Sequence, residues 1–188
     1  MNFLKFNDSW HIIWMLVMFI TIISPELFFA SNASRFSMVA ITYVVATLLL
    51  KPKMKQTDIS QNWLKYIMYF GTLLLIFSFA TNKAMYDVNF TSIFTKLLFV
   101  VFVIGYSESL IRRGVHERTG NPIIAVVVMG IAHTGAYMSL LGEYNFMAVL
   151  PHLFTAMVGF TIFQLVYYYT KDTMIEAMVH GFYNLQFY

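Results

Sequence analysis

Long apolar runs recur along this chain, and most are close to the length that carries an α-helix across a bilayer. A helix needs about 20 apolar residues to cross the hydrocarbon core. Seven candidate segments fall at about 10–30, 36–50, 63–80, 92–111, 121–141, 146–169 and 173–188. The second and the last are short for a crossing and suit tilted or partial spans. Only 11% of the residues are charged and 59% are hydrophobic, whereas soluble domains carry about a quarter charged residues. A soluble domain so poor in charge would expose large apolar patches and aggregate. The pattern predicts an all-α, polytopic transmembrane helix bundle of about seven spans. Residues 1–188 form one membrane domain, with no internal repeat and the lipid bilayer as its surroundings.

Several function classes drop out. The formal charge of +3 is accounted for by membrane topology, so no nucleic-acid partner is expected. Cysteine is absent, which excludes disulfides, zinc–thiolate sites and cysteine nucleophiles. The first segment reads as an uncleaved span. Ser24-Pro25-Glu26 should end its helix, because proline cannot donate the backbone bond. Orientation follows from lysine and arginine in short loops. Nine of the twelve basic residues (Lys5, Lys51, Lys53, Lys55, Lys65, Arg112, Arg113, Arg118 and Lys171) fall on one side of this arrangement, against Arg35, Lys83 and Lys96. That split predicts a multi-pass protein with a cytoplasmic N-terminus and an external C-terminus.

Ionisable residues inside spans cost several kcal/mol unless paired or hydrated, so they mark functional sites by default. Glu108 sits near the end of the fourth span, His133 midway through the fifth and His152 towards the outer end of the sixth. Glu176, His180 and Asn184 recur every fourth residue in the seventh and share a helix face. At 1.5 Å per residue, His133, Asn184, Glu108 and His180 lie at a similar depth, about 12–18 Å below the basic face. Such a set suits peptide hydrolysis. The carboxylate takes a proton from water, an imidazole holds the water or the oxyanion, and an amide positions the scissile carbonyl. Arg112 and Arg113, four and five residues on, are within reach of Glu108. His152 reads as an interhelical hydrogen-bond partner, and Glu176 as an early-turn acid favoured by the helix dipole.

These residues resemble the motifs of the CPBP family of intramembrane proteases (the CAAX-processing and bacteriocin-processing, or Abi, enzymes). That pattern is Glu-Glu-x-x-x-Arg, then Phe-x-x-x-His, then His-x-x-x-Asn or Asp. Here the first looks like Glu108-Ser109-Leu110-Ile111-Arg112-Arg113-Gly114, the second like Met129-Gly130-Ile131-Ala132-His133, and the third is His180-Gly181-Phe182-Tyr183-Asn184. The resemblance covers about 92–188, the motif-bearing core, while spans in 1–91 carry no diagnostic residue. It implies a glutamate-type endopeptidase. Glu108 would activate water with His133 opposite, His180 and Asn184 would form the oxyanion side, and Arg113 would orient the acidic motif. A peptide or protein tail entering the bundle would be the substrate. The resemblance leaves a divalent metal such as zinc open, with Glu108, His133 and His180 as its ligands. Ser109 replaces the second Glu of the pattern and Met129 the Phe. Two other readings compete. One is a catalytically inactive relative acting as a membrane binding or immunity protein. The other is an ion or proton pathway through Glu108, His133 and His180, which fits less well because these residues cluster at one level.

Overall fold

The computed structural model describes residues 6–53, 88–142 and 144–188. The predicted span at 63–80, with Lys5, Lys55, Lys65 and Lys83, lies outside the described residues. Those described are all-helical: α1 (Phe6–Ile23), α2 (Ala33–Leu50), α3 (Ile93–Thr119), α4 (Pro122–Ala132), α5 (Thr134–Leu141), α6 (Phe146–Thr170) and α7 (Thr173–Asn184). Three of them, α2, α3 and α6, are long and apolar enough to cross a membrane. Their outward faces carry large apolar side chains, among them Leu48, Leu49, Phe154 and Leu165.

Local sequence explains where the helices stop and start. Helix α1 ends at Ile23, and Pro25 opens a single 3-10 turn, Pro25–Leu27. Helices α4, α6 and α7 each begin on a side-chain cap: Asn121, Asn145 and Asp172 accept from backbone N–H groups two or three residues on. Pro122 follows the first of these caps, where its missing N–H costs nothing. Gly120 and Gly142 close α3 and α5 with φ of +66° and +65°, a left-handed conformation that glycine adopts without strain.

Helix α3 is not uniform. Residues Phe99–Tyr106 form π-helical turns buried on nearly every side. Such segments are rare and are found mostly at functional sites. Against this stretch lies α7, at backbone contact. A Cβ on Gly181 would meet the Val101 Cα at 2.7 Å, and one on Gly105 would meet the Gly181 nitrogen at 2.7 Å. Backbone atoms cannot swing aside as a side chain does. Gly181→Ala is therefore expected to cost about 3 kcal/mol, the upper end of overpacking penalties. A lower melting temperature in detergent would show it. Gly135→Ala, where the added carbon meets nothing within 4 Å, serves as the control.

Opposite ends of the bundle are tied separately. At one end Lys53 N–H donates to Glu117 at 2.8 Å, Arg118 donates to the Leu49 carbonyl at 2.7 Å, and Arg113 stacks over Tyr167, one turn before Lys171. Lys51, Lys53, Arg113, Arg118 and Lys171 thus share one end. At the other, Ala30 N–H donates to the Asn89 carbonyl and Thr91 N–H to the Phe28 carbonyl. Rings of Phe29, Phe36, Phe90 and Phe99 pack together there, and Tyr188 at the C-terminus meets Phe90. Trp14 ties α1 to α3 by donating to the Ser107 hydroxyl at 2.9 Å.

Two elements differ from expectation. His133 does not sit mid-helix but at the break between α4 and α5. Its Nδ1–H takes the Met129 carbonyl at 2.7 Å and the Thr134 hydroxyl takes that of Ile131 at 2.6 Å, so side chains occupy bonds that would continue the helix. The last helix ends at Asn184, giving it 12 residues and a rise of about 18 Å, shorter than a full crossing.

Candidate functional site

Glu108 lies two residues beyond the π-helical stretch of α3, with 4% of its surface exposed. Side chains from α7, α2 and the α4–α5 break converge on its carboxylate. His180 of α7 donates its Nε2–H to Oε2 at 3.2 Å. His133, at the α4–α5 break, brings Nε2 to 3.5 Å from Oε1. Tyr43 of α2 donates its hydroxyl to the same Oε1. A carboxylate buried this deeply needs such donors, because its desolvation is otherwise uncompensated.

The two imidazoles are held in place differently. His133 donates its Nδ1–H to the Met129 carbonyl, which turns Nε2 towards Glu108. The His180 ring stacks on Phe163 with centroids 4.0 Å apart, and its Nδ1 lies 3.4 Å from the Ser109 hydroxyl. Phe160 packs against both rings, at 5.2 and 5.5 Å.

Beside these groups lies a cavity of about 60 Å³ lined by Glu108, His133, His180 and Asn184, roomy enough to hold ordered water. Asn184 stands one turn beyond His180. All four predicted residues therefore border one space. Glu108 and His133 touch directly, so a water would sit beside the pair rather than between them. From Glu108 the lining continues through Ile104, His152 and Tyr188, away from the end that carries Lys51, Arg118 and Lys171.

The arginines have other partners than expected. Arg112 forms a two-pronged ion pair with Glu176, at 3.1 and 2.7 Å, with both side chains fully buried. Glu176 is thus the counter-ion of Arg112 rather than an acid placed by the helix dipole. Arg113 bonds Glu117 at 2.7 Å and the Lys53 carbonyl at 3.2 Å. Neither arginine bonds Glu108, because the helix phase carries them to the sides facing α7 and the α2 end.

Sequence reasoning missed several groups at the site. His152 lines the same cavity, with its ring 5.6 Å from Tyr137, rather than bridging helices elsewhere. Tyr137 and Tyr183 line it too. Tyr43 belongs to a region without diagnostic motifs, yet it bonds the central carboxylate. The available signals were spacing alone: Tyr137 follows His133 by one turn, and Tyr183 adjoins Asn184. Tyr43→Phe removes one donor to a buried carboxylate, worth about 1.5–3 kcal/mol. A drop in melting temperature of the purified protein would register that loss.

Among the described residues no group of three or more His, Asp or Glu is arranged to hold a metal ion. The two imidazoles engage different oxygens of Glu108, so the donors face one another and not a common point. The histidine and carboxylate donors present do not fit zinc in this arrangement. No protein-family model, curated protein or solved structure matches the chain.

Proposed function

We propose that this chain is a multi-pass membrane endopeptidase of the CPBP type, in which Glu108 activates water to hydrolyse a peptide bond in a peptide or protein tail. The observation that carries the reading is the convergence of His133, His180 and Tyr43 on one buried carboxylate, at the edge of a small cavity that Asn184 also lines. A basic residue surplus at one end supports a cytoplasmic N-terminus and an external C-terminus.

The chemistry follows from the donors and acceptors. Glu108 takes a proton from water held in the cavity while the water oxygen bonds the scissile carbonyl carbon. As Glu108 takes the proton its hold on the His180 Nε2–H weakens. That N–H and the Asn184 amide are then the donors for the developing oxyanion. The C–N bond breaks when the proton passes from Glu108 to the departing amine. His133, with Nε2 beside Oε1, holds the carboxyl in place in between.

The test is cleavage by the purified protein of peptides embedded in detergent or bilayers, read as new peptide termini by mass spectrometry. Wild-type cleavage that His180→Ala abolishes, in a protein that still folds and inserts, supports hydrolysis. Full activity in that variant, or in Glu108→Ala, overturns it. One observation favours the second reading, an inactive relative that binds a partner. Glu108 already contacts three side chains and has no water-sized gap to His133. That reading predicts a biological phenotype surviving Glu108→Ala.

A further inference from the structure

Glu108 and Ser109 are consecutive residues of α3, and they meet opposite edges of one ring. Glu108 Oε2 lies 3.2 Å from His180 Nε2, and Ser109 Oγ lies 3.4 Å from His180 Nδ1. Phe163 covers a face of the ring at 4.0 Å. Ser109 is 1% exposed and His180 2%, so water does not settle the proton positions from outside.

We propose that Ser109 is a positioning residue whose hydroxyl donates to His180 Nδ1 and thereby fixes the tautomer that points Nε2–H at Glu108. Two observations lead there independently. A carboxylate oxygen only accepts, so its contact with Nε2 places the ring proton on Nε2 and leaves a lone pair on Nδ1. A hydroxyl is one of the few side-chain groups able to donate to that lone pair. Secondly, many helical hydroxyls here return their proton to the carbonyl four residues back, as Thr21, Ser37, Thr42, Thr119, Thr155, Thr161 and Thr170 do, though Ser107 and Thr134 do not. Ser109 lies in a helix and makes its side-chain bond to His180 instead. Its proton is free for the ring because it is not spent on its own helix.

A carboxylate at this position would reverse the arrangement. It would accept from Nδ1–H, and the hydrogen bond from Nε2 to Glu108 would lose its claim on the one ring proton. Ser109 in place of a second acid thus determines which edge of His180 is the donor. The kinetic consequence rests on the hydrolytic reading, whereas the tautomer does not.

The experiment uses the full chain, purified in detergent with ¹⁵N-labelled histidine and with His180 signals assigned against His180→Ala. Wild type is expected to show a lone-pair nitrogen at Nδ1 and a protonated Nε2. Ser109→Ala should mix the tautomers, Ser109→Thr should preserve the wild-type pattern, and Ser109→Asp should move the proton to Nδ1. Where peptide cleavage is observed, Ser109→Ala should lower kcat about tenfold, as expected for one lost neutral hydrogen bond, with KM nearly unchanged, and Ser109→Thr should restore it. A wild-type His180 with its proton on Nδ1 overturns the proposal, even if Ser109→Ala does not fold. So does a Ser109→Ala spectrum identical to wild type. Absence of cleavage in every form, with the tautomers as stated, overturns the hydrolytic reading and leaves the role of Ser109 standing.

Discussion

Replacing Glu108 with glutamine is expected to lower peptide cleavage by about a hundredfold to ten-thousandfold, the range that general-base catalysis contributes. The substitution is nearly isosteric, so the cavity keeps its shape, but an amide cannot take a proton from water. It also mismatches its surroundings. The carboxylate accepts from Tyr43 at one oxygen and from His180 at the other. A glutamine offers one acceptor and an NH₂ group, so one donor is left facing another donor. That should cost about 1–3 kcal/mol of stability, the penalty for an unsatisfied buried polar group. Activity and melting temperature of the same preparation separate the two effects. A small thermal shift with a large loss of turnover identifies Glu108 as the base. A thermal shift with unchanged turnover identifies it as a structural hub, and the binding-protein reading takes over.

Breaking the Arg112–Glu176 pair is expected to have the largest effect on stability. Removing one partner leaves the other charge buried without compensation, at a cost of about 3–5 kcal/mol. Against a typical total of about 5–15 kcal/mol, that is enough to unfold a marginal protein. Arg112→Ala or Glu176→Ala should therefore fail to give a cooperative thermal transition, or give one at a much lower temperature. The double variant Arg112→Met with Glu176→Leu should recover much of the loss, because two apolar side chains need no counter-ion. Arg112 Nη1 already lacks a hydrogen-bond partner, so the native pair is itself incompletely satisfied. A double-mutant cycle on melting free energies measures the coupling. Additive losses would show that the two side chains act separately.

The pair also bears on the site. Glu108 and Arg112 are one turn apart on α3, and His180 and Glu176 are one turn apart on α7, running the opposite way. Glu108–His180 and Arg112–Glu176 are successive rungs between two antiparallel helices. Gly181 permits the backbone contact next along. Loss of the Arg112–Glu176 rung should displace His180 as well as destabilise the fold, so residual activity in a surviving single variant should fall with stability.

The helical class and the positions of Glu108, His133, His180 and Asn184 at one cavity were legible without coordinates. Each is a costly polar group in an apolar run, and a shared depth follows from the rise of a helix. Pro25 ended α1 as its chemistry requires, and the lysines and arginines at 51–53, 113–118 and 171 gathered at one end. Partner choice was not legible. Spacing puts Arg112 and Arg113 near Glu108 in an ideal helix, but their directions depend on how α3 is rotated against α7 and α2. Wide π-helical turns just before Glu108 change that phase. Tyr43, Tyr137 and Tyr183 were silent for another reason: tyrosine is amphipathic and commonplace in apolar helices, so its presence carries no signal of cost. Sequence alone determined which residues had to be satisfied inside the bundle, because burial penalises them wherever they go. Only the tertiary structure decided which group satisfies which, because that depends on helix rotation and close packing between segments distant in the chain.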